Sequence, residues 1–160
     1  MSRPRGPAGL ARDLSLPAIL AAAAAGLWAY GWRPADLWVG ARLPLVVDAA
    51  WHFAATWLFV FIPRGIYAKY TSERPTPILA VDAMQFLGGM NSGFCLLAVL
   101  SLAYDVRPIE PVLAAFALAN FSQFALDLRL HRARRVNLGF LVITVGDAVA
   151  TVVNLAYCAG

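Results

Sequence analysis

Residues 43–62 read LPLVVDAAWHFAATWLFVFI, and only Asp48 and His52 among them carry ionisable side chains. A helix needs about 20 predominantly apolar residues to cross the hydrocarbon core of a bilayer. A surface helix of the same length in a soluble protein would carry charged and polar side chains along one broad face. The stretch therefore predicts a membrane-spanning helix.

Four further apolar segments of similar length occupy residues 14–32, 77–104, 109–128 and 137–158. The short alternating segments typical of barrel strands are absent from the sequence, which leaves helices as the structure that satisfies the backbone in lipid. We predict an all-α, polytopic transmembrane helical bundle of five spans. Residues 1–160 are predicted to form one integral membrane domain.

The composition supports this class of protein. Apolar residues make up 61% of the 160 residues and charged residues 14%, whereas soluble domains average about half apolar and a quarter charged. A soluble domain of this size leaves much of its surface exposed and could not hide so many apolar side chains. The lipid bilayer is therefore the first predicted partner.

The net charge of +4 comes from twelve arginines and one lysine that lie before or between the apolar segments. They form no basic helix face with interleaved aromatic rings, so no nucleic acid is predicted as a partner. Their distribution instead predicts orientation, with the N-terminus cytoplasmic and the C-terminus outside. The use of arginine over lysine, with abundant alanine, suggests a bacterial inner membrane. The three basic regions comprise Arg3, Arg5 and Arg12; Arg64, Lys69 and Arg74; and Arg129, Arg132, Arg134 and Arg135.

The segment 14–32 permits two interpretations. Arginines precede an alanine-rich core, as in a secretory signal peptide. The core, however, is long and ends in Trp28, Tyr30 and Trp32, which resembles the aromatic belt of a membrane interface. We predict a retained helix at the periphery of the bundle.

Polar side chains recur every three or four residues in the other four spans, so each span carries one polar stripe. Polar groups within a membrane usually face protein or water rather than lipid. We therefore predict a four-helix core with a polar interior. The stripes comprise Asp48, His52 and Thr56; Asp82, Gln85, Gly89 and Ser92; Asn120, Gln123 and Asp127; and Thr144, Asp147, Thr151 and Asn154.

Three residues are predicted as candidate catalytic groups, namely His52, Asp147 and Asp48. Imidazole titrates near neutral pH, Asp48 lies one helical turn before His52, and Asp147 is the one charged residue of the last span. They suggest proton transfer by an Asp48–His52 dyad or by a His52–Asp147 pair around a ligand. The alternative is that these residues are structural and satisfied by interhelical hydrogen bonds.

Six amide and hydroxyl side chains in the spans are predicted to bind the ligand. Gly89 and Gly93 form a GxxxG pattern, which favours close helix packing within the bundle, a homodimer face or a recess for a flat ligand. Cys95 and Cys158 stand singly and the usual metal motifs are missing, so no metal site is predicted and no cofactor is assigned. The predicted ligand-binding residues are Gln85, Asn91, Asn120, Gln123, Thr151 and Asn154.

Three functions fit this pattern. The first is binding of, or acid/base chemistry on, a lipophilic small molecule such as an isoprenoid, a quinone or a sterol-like compound, in an isomerase or cyclase type of reaction. The second is an accessory subunit of a larger membrane complex, and the third is a proton-coupled transporter or channel. The sequence favours the first, because two layers of polar residues lie within the spans and little chain lies outside them.

Overall fold

The computed structural model describes residues 39–158, together with Ala25 and Ala29, and these form helices joined by short connections. The predicted first span, residues 14–32, therefore lies largely outside the described residues. Among the described residues no strand occurs. The helices are α1 (Arg42–Phe61), α2 (Pro63–Tyr70), α3 (Ile78–Ala103), α4 (Glu110–Arg132) and α5 (Leu141–Cys158), and a 3₁₀ turn over Leu138–Phe140 leads directly into α5.

Four of these helices are long and apolar enough to cross a membrane, namely α1, α3, α4 and the continuous stretch Leu138–Cys158. This confirms the helical class and shows a sufficiently long, apolar helix at four of the five predicted spans. Three of the four match the predicted bounds to within one residue at each end. The fourth, α4, continues to Arg132 rather than ending at residue 128, because basic side chains in its last turn interact favourably with the helix dipole.

Large apolar side chains cover the outside of the bundle. Phe86 is 70% exposed, Leu118 67% and Val152 64%, and each lies within a long helix. A contiguous surface of this kind is unfavourable in water and suits contact with acyl chains. The outer faces thus support a multi-pass membrane protein.

The long helices form two pairs, α1 with α3 and α4 with α5. A side chain at Gly88 of α3 would meet the backbone nitrogen of Val60 at 3.1 Å, so this glycine lets α3 lie close against α1. The pairs join mainly through α1, which contacts α5 and, less extensively, α4. The two consecutive helices α3 and α4 make few backbone contacts with each other.

An apolar core closes one end of the bundle. It is built from Leu45, Ala98, Leu113 and Phe116, which come from α1, α3 and α4 and are at most 3% exposed. This end carries the start of α1 and the connection between α3 and α4. Here the two helix pairs are packed together.

The opposite end carries the two arginine-rich connections. The backbone N–H of Asn137 donates to the carbonyl of Tyr70 at 2.8 Å, and the Asn137 amide donates to the carbonyl of Lys69 at 2.7 Å. Both connections were assigned to the cytoplasm, and that orientation requires them to share an end. The side of the membrane on which this basic end lies stays a prediction.

One helix departs from the predicted arrangement of stripes. The stripe Asp82, Gln85, Gly89 and Ser92 was expected to face inward, and all four residues are exposed. For α3 this prediction is wrong, because the helix packs on α1 through the small and aliphatic side of Val81, Gly88 and Ala98. The polar stripe is thereby turned outward.

Candidate functional site

A cavity of about 370 Å³ lies between the two helix pairs, on the side of the apolar core toward the basic end. Most of its wall is apolar and includes Leu58, Phe59, Leu87, Met90 and Phe94. All four long helices also contribute polar side chains. These are His52 from α1, Asn91 from α3, Asn120 and Gln123 from α4, and Asp147 from α5.

The cavity opens between α3 and α4. Met90 of α3 and Ser122 of α4 both line the cavity and are both exposed. The helices α1 and α5, which also line the cavity, contact each other more extensively than α3 and α4 do. In a membrane, an opening between α3 and α4 would face the acyl chains.

His52 presents a defined hydrogen-bond acceptor in this wall. Its Nδ1 lies 2.6 Å from Oδ1 of Asn91, and the amide nitrogen of Asn91 donates to the carbonyl of Leu87 at 2.8 Å. This second bond fixes the Asn91 oxygen toward the imidazole, so Nδ1 carries the proton and donates it. In the neutral ring Nε2 is then an acceptor, and it is buried without a partner among the described residues.

Two aromatic rings hold the His52 imidazole in place. Its centroid lies 5.1 Å from that of Phe94 in a stacked arrangement, and 5.6 Å from that of Phe116. Rings at these separations and angles restrict rotation of the imidazole. The orientation of Nε2 is thus set by packing as well as by Asn91.

Asp147 is held by a tryptophan from the neighbouring helix pair. The indole Nε1–H of Trp51 donates to Oδ1 of Asp147 at 2.8 Å. The ring lies across Gly146, where a side chain would collide with the indole carbons. Gly146 therefore makes the Trp51–Asp147 bond possible, and Asp147 is 3% exposed as a result of this packing.

Asp147 also forms a carboxyl pair with Asp127 of α4. The two carboxyl groups lie next to each other, with Thr144 beside them, and the amide of Gln123 donates to Oδ1 of Asp127 at 3.5 Å. Neither Oδ2 atom receives a bond from an N–H or O–H group among the residues described. A hydrogen bond between two carboxyl groups requires a proton on one of them.

A second polar cluster surrounds Asp48. Its Oδ1 accepts a bond from the amide of Asn120 at 3.0 Å and one from the amide of Asn154 at 3.1 Å. Asp48 and Asn154 are fully buried and Asn120 is 2% exposed. The cluster joins α1, α4 and α5, and only Asn120 among its members also lines the cavity.

The structure brings five of the nine predicted site residues to one cavity, namely His52, Asn91, Asn120, Gln123 and Asp147. Asp48 contacts Asn120 and Asn154 rather than orienting His52. The hydroxyl of Thr151 donates to the carbonyl of Asp147 within its own helix. Gln85 is exposed and its amide donates to the carbonyl of Val60 at 3.3 Å, which places it outside the cavity wall.

Two residues of this region are not among the predicted site residues. Trp51 is one of several deep aromatic residues that, from the sequence, fit an apolar ligand pocket as well as lipid contact or core packing, and the glycine directly before Asp147 signals close approach of a large side chain. His131 lies beyond the predicted end of its span, in the basic connection, and its Nε2 lies 3.2 Å from Oγ1 of Thr144. Its signal is the spacing of Asn120, Gln123, Asp127 and His131, which continues one helical stripe.

Comparison of the chain with known protein families, with characterised proteins and with solved structures gave no match.

Proposed function

We propose that the protein binds a lipophilic small molecule bearing a hydroxyl group, of isoprenoid, quinol or sterol-like type, in the cavity between the helix pairs. The volume of about 370 Å³ falls in the range of ligand sites. The apolar wall suits a hydrocarbon body, and the opening between α3 and α4 suits entry from lipid.

The observation that carries this proposal is the unpartnered Nε2 of His52. A buried acceptor without a donor is unfavourable by about 1–3 kcal/mol. A ligand hydroxyl that enters the cavity and displaces the side chains around Nε2 would supply the missing donor. Asp147, whose Oδ2 is likewise buried without a donor among the residues that the structure describes, would offer a second acceptor. Where the ligand is turned over, these two groups provide acid/base chemistry of an isomerase or cyclase type.

Photoaffinity labelling tests the proposal with a defined probe. The full chain in liposomes is irradiated with a diazirine-bearing, clickable isoprenoid alcohol, and with its methyl ether as the matched ligand control. We expect labelled peptides from the cavity wall, and about tenfold weaker labelling by the ether, since one lost hydrogen bond to a buried acceptor is worth about 1.4 kcal/mol. Quinol and sterol probes tested in parallel identify the class.

Two substitutions and one control locate the labelled site. Ala119→Phe fills the cavity from α4, and His52→Phe keeps the stacked ring but removes the acceptor. Ala114→Phe adds the same bulk on the exposed side of α4. We expect labelling to fall about tenfold in the first two variants and to stay unchanged in the third. Equal labelling of all three would refute the cavity as the binding site.

A second candidate function, an accessory subunit of a membrane complex, is favoured by the outer face of α3. Asp82, Gln85 and Ser92 are exposed there beside Gly89 and Gly93, whose Cα atoms face open space. Polar and small residues of this kind serve helix association in lipid. Native mass spectrometry of the protein extracted in mild detergent tests this function. A stoichiometric second chain that is lost in Gly93→Ile and kept in Ala83→Ile supports it, and a monomer contradicts it.

A further inference from the structure

A chain of proton-exchanging side chains runs from the basic end of the bundle to the cavity. His131 lies in the last turn of α4, and its Nε2 is 3.2 Å from the hydroxyl oxygen of Thr144. Thr144, whose hydroxyl donates to the carbonyl of Phe140 at 3.4 Å, lies beside the carboxyl group of Asp127, and Asp127 lies beside Asp147. Asp147 lines the cavity.

We propose that His131, Thr144, Asp127 and Asp147 form a proton-transfer path between the basic end of the bundle and the cavity. The path does not depend on the nature of the cavity ligand, and it does not require that a ligand binds. It adds to the proposed binding function a controlled supply of protons at Asp147.

The surroundings of the two aspartates require a shared proton. Asp127 is fully buried and Asp147 is 3% exposed, and two adjacent carboxylates in an apolar environment cannot both be ionised. The charged or titratable group facing Asp127 besides Asp147 is His131, and Asp147 faces Asp127 and the neutral indole of Trp51.

The transfer conserves protons at each step. The Thr144 hydroxyl first turns from the Phe140 carbonyl toward Asp127. A proton on Nε2 of His131 then passes to the Thr144 oxygen while the Thr144 hydroxyl proton passes to Asp127. The proton held by the carboxyl pair then moves to Asp147, and Asp147 gives one proton to an acceptor in the cavity. One proton enters at His131 and one leaves at Asp147, and no electrons are transferred.

The two ends of the path differ in their exposure to water. His131 is half-buried, with its ring 5.8 Å from that of Phe140 at the basic end, where water can reach it. Asp127 and Thr144 are both buried. A threonine hydroxyl both donates and accepts, so it relays a proton where an aliphatic side chain of the same shape cannot.

Infrared spectroscopy of the full-length protein in liposomes tests the shared proton. We expect an absorption of protonated carboxyl groups at neutral pH, part of which disappears in both Asp127→Asn and Asp147→Asn. Asp82→Asn, which changes an exposed aspartate of α3, serves as the control and leaves the absorption unchanged. An absorption that neither Asp127→Asn nor Asp147→Asn alters would overturn the proposal.

Hydrogen–deuterium exchange of the same absorption tests the route. Transfer of the wild type into deuterated buffer shifts the carboxyl absorption, and we expect this shift to be at least tenfold slower in Thr144→Val and in His131→Phe. Thr144→Ser, which restores the hydroxyl, should recover the wild-type rate. An unchanged rate in a folded Thr144→Val protein would show that protons reach Asp147 by another route. The exchange does not require a bound ligand. A negative photolabelling result would therefore refute the proposed binding function without refuting the proton path, and an unchanged exchange rate would do the reverse.

Discussion

Two buried aspartates lie in the same bundle and have opposite surroundings. Asp48 accepts bonds from two asparagines on α4 and α5 and is fully enclosed. Asp147 lies in the cavity wall, held by Trp51 and paired with a second carboxyl group. The first arrangement ties three helices together, whereas the second places a buried carboxyl group in a residue that lines the cavity. Two aspartates that are equally buried therefore differ in their partners and in their distance from the cavity.

The largest effect is expected at Asp48. Asp48→Leu removes the shared acceptor and leaves the amides of Asn120 and Asn154 without it. Interhelical hydrogen bonds in membranes contribute about 1–2 kcal/mol each, so we expect a loss of about 2–4 kcal/mol in stability. Thermal unfolding in detergent measures it. Asp48→Asn keeps the accepting oxygen and should unfold close to the wild type, and a similar loss in both variants would disprove the role of the acceptor.

A smaller effect is expected from a methyl group at Gly146. Gly146→Ala pushes the Trp51 ring away from Asp147, and overpacking of this kind costs about 1–3 kcal/mol. Gly89→Ala is the matched control, because open space surrounds that glycine and alanine favours the helix. We expect a lower unfolding temperature in the first variant and an equal or higher one in the second. Equal unfolding temperatures would contradict the packing of Trp51 on α5.

The smallest effect is expected at Glu73, an exposed carboxylate that accepts a hydrogen bond from Tyr67. The phenol of Tyr67 donates to Glu73 outside the spans, and this bond raises the pKa of Tyr67 above its ordinary value. The bond therefore stabilises the fold below the ordinary pKa of about 10, and this contribution is lost as the pH rises through the raised pKa. We expect a lower Tyr67 pKa in Glu73→Gln, measured as the difference in ultraviolet titration against Tyr67→Phe. The effect on stability at neutral pH is small, because both groups are exposed to water.

The sequence was informative wherever the bilayer itself sets the pattern. The length of the apolar segments predicted five spans, and four of them are long helices with most of their ends as expected, because hydrocarbon thickness fixes the length of a span. The partners of individual polar groups were not predictable, since they depend on how each helix rotates against its neighbour. The stripe beginning at Asp82 shows this, because Gly88 rather than the polar residues determines which side of α3 meets α1.

The candidate site was predicted in part for the same reason. His52 and Asp147 were selected as ionisable groups deep in apolar segments, and both line the cavity. Their partners, Asn91 and Trp51, lie on other helices at sequence separations of 39 and 96 residues. Helical spacing connects residues within one helix, so it cannot identify such contacts.

The difference between the two aspartates is tested most directly by photolabelling Asp48→Asn and Asp147→Asn side by side with the isoprenoid alcohol probe. Both substitutions conserve shape, and thermal unfolding confirms that both proteins are folded. We expect Asp48→Asn to be labelled like the wild type. In Asp147→Asn the indole of Trp51 retains the remaining oxygen, so an NH₂ donor takes the place of the accepting Oδ2. We expect this variant to be labelled about tenfold less, since one lost hydrogen bond is worth about 1.4 kcal/mol. Equal labelling of the two variants would contradict the assignment of Asp147 to the ligand site and of Asp48 to the structure.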